Sequence, residues 1–197
     1  MKMKVSLGPG TLAYPTPVFV VGTYDKTGKP NLMTAAWGGI CCSKPPCVAI
    51  ALREATYSYS NIMEQKAFTI NIPSEDMVKE ADYVGIVSGK TENKFETLGF
   101  TPVKSELVNA PYVDEFPFVL ECKLLHILEI GRHTQFVGEI LDAKVEPAVQ
   151  ASNNNPDPLK MKPFYFDPGT RGYYSTGKRI GDAFGIGKEL KKESTFT

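Results

Sequence analysis

FVLECKLLHILEIGRHTQFVGEILDAKV, residues 118–145, holds two long runs of strand-forming residues on either side of a Gly-Arg pair. Val, Ile, Leu, Phe and Thr recur with partial alternation from Phe118 to Ile130 and again from Thr134 to Val145. Branched and aromatic side chains pack well on a pleated surface, and the Gly131-Arg132 break suits a tight reversal. The reading is a hairpin of two long β-strands.

Upstream the same signals repeat. Val18 to Tyr24 is rich in β-branched and aromatic residues, and Asp25-Lys26-Thr27-Gly28-Lys29-Pro30 is turn chemistry. Asn31 to Trp37 then returns as a second strand. Cys47 to Leu52 follows the breaker pair Pro45-Pro46 and is apolar throughout, the pattern of a strand covered on both faces. A short helix is expected over residues 58–65, with Ile62 and Met63 as its apolar side, followed by a strand over 67–72. Ser74 reads as an N-cap with Glu75 and Asp76 in the first turn, and that helix is expected to reach about Tyr83. From Gly85 to Gly99 the pattern is weak apart from a helical turn at 94–98. Ala151 to Pro163 is rich in Asn and Pro and reads as a loop. The segment from Phe164 carries too many aromatics for a disordered tail, and reads as an ordered excursion packing on the barrel or on a partner. Many strands and few short helices make a mostly β, barrel-like core.

The chain of 197 residues fits one domain, 1–197, with residues 151–197 as its C-terminal excursion. A domain of this length buries roughly 70% of the surface its unfolded chain exposes, enough to fold without staples. Lys plus Arg and Asp plus Glu both number 22, so there is no basic excess for a nucleic-acid partner, though a local phosphate site needs only one or two cations. No stretch approaches the ~20 apolar residues of a membrane helix, and no signal-peptide pattern precedes the first strand. A cytoplasmic location and four free thiols are therefore expected.

Catalytic motifs are scarce. There are two histidines, His126 and His133, and no HExxH, Walker A or EF-hand loop. Gly181, Gly185 and Gly187 lack the order and the preceding strand of a dinucleotide fingerprint. Cys41, Cys42 and Cys47 do not have the paired spacing of a zinc or iron–sulfur site, so no metal is expected. They read either as small residues packed at a strand end, or as Cys42 and Ser43 set against a cofactor. The Lys188, Lys191, Lys192 run reads as a solvated face.

Several segments carry a family resemblance. Asn31-Leu32-Met33-Thr34-Ala35-Ala36-Trp37, then Pro45-Pro46 and an apolar strand ending at Arg53, resembles the flavin-reductase-like family, its flavoredoxin branch in particular. Tyr57 to Ile62 followed by Phe68 to Ile72, Asn93-Lys94-Phe95, Glu129 to His133 leading to Gly138-Glu139, and the ending Tyr173-Tyr174 to Gly187-Lys188 are similar in the same order. The resemblance implies a split β-barrel that binds FMN at the interface of a homodimer. The implied cofactor contacts are Met33, Thr34, Ala35, Ala36, Trp37, Cys42, Ser43, Arg53, Thr56, Ser58, Tyr59 and Lys94, with His133 as a nicotinamide or flavin contact. Phosphate would be held by Arg53 and by the hydroxyls and N–H groups of Thr56 and Ser58 at a helix start. Trp37 is as suited to a core or interface anchor as to a ring neighbour, and Lys94 to a solvated surface.

Two departures shape the functional expectation. Thr56 stands where the family commonly has a basic residue, and Arg132 replaces an acidic residue before the histidine. The second weakens direct oxidation of NAD(P)H more than it weakens FMN binding. The expected function is electron transfer between redox partners by bound FMN. The alternatives are an NAD(P)H-dependent flavin reductase and a non-catalytic module holding haem or another ligand.

Overall fold

The computed structural model describes residues 3–190; Met1, Lys2 and the Lys191-Lys192 pair lie outside the described residues. In chain order the elements are β1 (Thr16–Pro17), β2 (Phe19–Tyr24), β3 (Pro30–Ala35), β4 (Gly38–Ser43), β5 (Pro46–Leu52), α1 (Tyr57–Gln65), β6 (Ala67–Ile72), α2 (Val78–Ile86), α3 (Lys94–Leu98), β7 (Pro102–Lys104), β8 (Pro111–Val113), β9 (Phe118–Ile130), β10 (His133–Val145), α4 (Pro158–Met161), β11 (Phe164–Asp167) and β12 (Gly172–Ser175). Strands dominate and the helices are short.

Seven strands form one antiparallel sheet in the order β3-β2-β6-β9-β10-β5-β4. Its two edges, β3 and β4, are consecutive in sequence and separated only by Ala36 and Trp37. The sheet therefore has to curl until its two edges approach each other at Ala36 and Trp37. Trp37 sits in that crossing, and its carbonyl accepts from the Ala51 N–H at 2.8 Å. The expected β9–β10 hairpin is present, with Ile130 opposite His133.

The curled sheet encloses Val21, Val48, Ile50, Leu52, Phe68, Ile70, Cys122 and Phe136, with Ile62 of α1 at one end. Phe68 and Phe136 are fully buried, and removing either ring would cost about 3–5 kcal/mol. Gly138 is needed for that packing: a Cβ there would lie 2.6 Å from Phe68 Cζ. A second cluster, including Val20, Leu32, Ala81, Val84, Phe95 and Phe164, packs α2, α3 and the C-terminal hairpin against the other side of β2 and β3. That hairpin, β11–β12, joins β1 in a three-stranded sheet, which accounts for the aromatics from Phe164 to Tyr174, whereas Ile180, Phe184 and Leu190 beyond it are exposed.

The structure corrects several local readings. Residues 38–43 form β4, which the Gly-Gly and Cys-Cys pairs do not announce. Ser74 has extended backbone but makes no side-chain cap; Glu75–Met77 is a 3₁₀ turn, and α2 runs three residues beyond Tyr83. The Asn- and Pro-rich stretch contains α4, capped by the Asp157 carboxylate accepting from Leu159 N at 2.9 Å.

α1 is anchored to the β2–β3 turn. Asp25 Oδ1 accepts from Thr27 N and Thr27 Oγ1, both at 2.7 Å, and from Lys29 N at 3.0 Å. Tyr57 of α1 donates its hydroxyl to Asp25 Oδ2 at 2.7 Å, and Asn61 Nδ2 reaches Thr23 Oγ1 at 3.1 Å. Burial alone would raise the Asp25 pKa, but the donors from Thr27, Tyr57 and Lys29 hold it well below the ordinary carboxylate value. A depressed carboxylate pKa stabilises the fold above the unfolded value of about 3.9 and loses that contribution as the pH falls. Asp25→Ala should therefore lower stability by about 2–3 kcal/mol at neutral pH, measured by urea unfolding, and the gap to wild type should begin to narrow only below about pH 4 and go on narrowing as the pH falls further.

Candidate functional site

Three clefts that share lining residues run along β3. The first, of about 240 Å³, lies between Asn31 and Met33 of β3, the turn from Arg53 to Ser58, and the segment Val84–Gly89 with Lys94. The second, of about 190 Å³, shares Gly85 and Ile86 with it and adds Thr34, Ala36, Asp82, Phe166 and Tyr173. The third, of about 430 Å³, shares Ala36 and lies between Trp37 and the N-terminal segment at Gly10–Ala13 and Pro15–Pro17. At ~3.3 Å per residue, Met33 to Trp37 spans ~13 Å of continuous wall.

Strand alternation decides which of these side chains reach the clefts. Thr34 and Ala36 share one face, while Ala35 between them points into the barrel core at 5% exposure. Only the backbone of Ala35 is available to a ligand. The Thr34 hydroxyl donates to the Ala81 carbonyl and so ties β3 to α2.

The first cleft is built to attract an anion. Thr56 occupies the N-cap position of α1, yet its hydroxyl turns back to donate to Arg53 O at 2.8 Å and no side chain caps the helix. The first turn carries no acid. The N–H groups at the start of α1 therefore face the cleft without a carboxylate or hydroxyl cap, at the positive end of the helix dipole. Ser58 Oγ accepts from Asn31 Nδ2 at 2.9 Å, which leaves its own proton to donate. Arg53 is exposed at the mouth and Lys94 is buried at the back, and none of the residues lining the cleft is acidic.

Lys94 is not a surface lysine. It is 3% exposed, and Nζ donates to Leu32 O at 2.6 Å and Val84 O at 2.7 Å. Two of its three protons are thus fixed on backbone, bracing β3 against α2, and one remains. Burial lowers its pKa to about 8. Gly89 closes the same wall: a Cβ there would lie 2.0 Å from Asn31 Oδ1 and 2.7 Å from Tyr57 Cδ1.

Of the residues singled out from sequence, Met33, Arg53, Thr56, Ser58 and Lys94 meet in the first cleft, Thr34 and Ala36 in the second, and Trp37 in the third. Tyr59 points the other way, its ring edge-on to Phe136 at 5.2 Å between centroids. Thr134 pairs with Leu52, so half-buried His133 stands one position beyond that pair, on the side of Arg53, but is not among the residues that line the first cleft. Cys42 and Ser43 lie opposite Cys47 and Pro46, at the far end of β5, about 17 Å along the strand from Leu52. Asn31, Gly85, Ser88 and Gly89 were not singled out, because the weak pattern after Gly85 hides a loop whose value is its close approach to β3. Tyr173 belongs to the aromatic ending. It donates to Asp82 Oδ1 at 2.8 Å, closing the C-terminal hairpin over the second cleft, and burial and that bond raise its pKa to about 12.

The chain matches the flavin reductase like domain over residues 11–170. Among solved structures it is similar to flavoredoxin of Desulfovibrio vulgaris (Miyazaki F), at 54% identity and a TM-score of 0.90, covering 94% of this chain and all of that one. It shares the fold of a putative flavin reductase with a split barrel domain from Shewanella frigidimarina, at 24% identity and a TM-score of 0.76, covering 85% of this chain and 86% of that one. A curated relative from Archaeoglobus fulgidus, described only as an uncharacterized protein, is 38% identical over 113 residues, 57% of this chain. The chain spans 64% of that relative's length, less than two thirds.

The lowered pKa of Lys94 has a definite sign for stability. The unfolded chain holds that proton up to about pH 10.4, so between about 8 and 10.4 the unfolded state binds more protons and stability rises with pH. Urea unfolding across that window should show this rise from Lys94 in wild type, and Lys94→Met should remove it.

Proposed function

The chain belongs to the flavin-reductase-like family, and from that premise we propose that it binds FMN along the three clefts and works as an electron-transfer flavoprotein, with its phosphate end in the first. The observation that carries this reading is the acid-free cleft with an uncapped helix start, Arg53 at its mouth and the spare proton of Lys94 at its back. A phosphate near −2 charge matches that donor set, and each charge-assisted bond contributes about 1.5–3 kcal/mol.

FMN, when bound, supplies the chemistry by taking up and giving up electrons. The protein's part is to hold it. Arg53, Ser58 Oγ, the first N–H groups of α1 and Lys94 bind the anionic end. Thr34 and Ala36 offer a flat, small-residue wall, and the backbone from Met33 to Trp37 offers polar groups to a planar heterocycle. Trp37 and the N-terminal segment limit water at the other end.

A homodimer completes the proposal. β9 leaves Leu125, Ile127, Leu128 and Ile130 exposed and β10 leaves Leu141 exposed, an unusual run of apolar side chains on one hairpin, and Ile40 of β4 is exposed as well. A second copy covering that strip would also lie against the β9–β10 turn, where His133 stands opposite Ile130. The position of His133 beside Arg53 is the one observation that favours a second reading, a flavin reductase using NAD(P)H directly. Four free cysteines fit a reducing, cytoplasmic setting, and among the described residues no helix is long and apolar enough to cross a membrane.

Purified protein should carry a flavin spectrum, and Arg53→Ala should lose at least about tenfold in FMN affinity with its circular dichroism unchanged. Stopped-flow mixing with NADH or NADPH separates the two readings: no bleaching until a reduced protein donor is added supports the carrier, and fast bleaching supports the reductase. A Soret band in place of the flavin bands would overturn both. Leu128→Asp should shift the sedimentation of the protein from dimer to monomer.

A further inference from the structure

The β4–β5 hairpin lies outside the proposed phosphate cleft and carries three of the four cysteines. Cys42 and Cys47 stand directly opposite one another in its antiparallel ladder. Directly opposed residues share a face and have Cα atoms ~4.5–5.5 Å apart, inside the ~4.4–6.8 Å that a disulfide spans. Cys42 is exposed, and its Sγ donates to Lys44 O at 3.4 Å within the same hairpin. Cys47 is 3% exposed and lies within reach of the Cys42 sulfur. Cys41 falls at the register shift between Ile40 and Cys42 and has no residue opposite it. Among the described residues no group of three or more His, Cys, Asp or Glu side chains converges to hold a metal. One open thiol and one covered thiol in cross-strand register are the two parts of an exchange site, an attacker and a resolver.

We propose that Cys42 and Cys47 form a thiol–disulfide exchange site whose substrate is a low-molecular-weight disulfide. The Cys42 thiolate attacks one sulfur of the substrate, forming a mixed disulfide and expelling the first thiolate. Cys47 then loses its proton to solvent and attacks Cys42 Sγ, forming the Cys42–Cys47 bond and expelling the second thiolate. Both expelled thiolates take up protons, so two cysteine thiols and one small disulfide become one cross-strand disulfide and two small thiols. The electrons pass from the protein to the substrate, and a dithiol reductant reverses the sequence. Burial, with the neighbouring Cys42, Cys41 and Glu139, raises the Cys47 thiol, so the second step speeds up as the pH rises. Cys122 plays no part: it lies in the barrel core, its thiol pushed far up by burial.

The test uses the full-length protein with whatever cofactor it carries. Reduced protein is exposed to glutathione disulfide, quenched with an alkylating agent under denaturing conditions, and analysed by intact and tandem mass spectrometry. Wild type and Cys41→Ser should each lose two alkylatable thiols and the mass of two hydrogens, with the bridge mapped to Cys42 and Cys47. Cys42→Ser should form no such bridge, and Cys47→Ala should stop at a glutathione adduct on Cys42. A wild-type protein that keeps four alkylatable thiols, stops at the glutathione adduct, or bridges through Cys41 overturns the proposal. None of these outcomes depends on whether flavin is bound.

Discussion

A lysine ammonium held inside the protein by two backbone carbonyls is the constraint on which the candidate site depends. Lys94 Nζ joins Leu32 of β3 to Val84 of α2, two walls that Thr34 also ties through its bond to Ala81 O. Burying a charge is costly unless it is well hydrogen-bonded, and here two of three donors are satisfied by groups that belong to different elements. The brace sets the width of the cleft, and the unspent donor gives the cleft its sign. Arg53 and the start of α1 add to the same sign from the opposite wall, and the helix keeps that position because Tyr57 and Asn61 are tied to Asp25 and Thr23.

The barrel and the site are linked through one short passage. The chain crosses from edge strand β3 to edge strand β4 over Ala36 and Trp37, so the residues that close the sheet also line the second and third clefts. Ala36 keeps that crossing small where the second and third clefts adjoin, and Trp37 walls the third. Gly138 packs against Phe68 where the register of the long β9–β10 hairpin shifts, and the distal half of β9 is left uncovered.

Much of this was legible in the sequence because the signals were local. The β9–β10 hairpin, the strands at 19–24 and 46–52 and the helix at 57–65 each declare themselves by composition and flanking turn residues. β4 did not, since Gly38-Gly39-Ile40-Cys41-Cys42-Ser43 has weak strand preference and is held by pairing with β5. The site was legible as a set of positions on β3 and around Arg53. Its depth was not: nothing local distinguishes Lys94 from a surface lysine, and Asn31 and Gly89 matter only because two distant segments touch. Tyr59 and Ser58 are neighbours in sequence, yet one packs on Phe136 and the other faces the cleft, a division set by the helix turn.

The most direct measurement compares the affinities of FMN and riboflavin for the same apoprotein by fluorescence quenching. The two ligands differ only in the phosphate, so the comparison isolates the acid-free cleft with Lys94, Arg53 and the start of α1. FMN should bind at least about a hundredfold more tightly, since two or more charge-assisted bonds are at stake. Equal affinities would contradict the account.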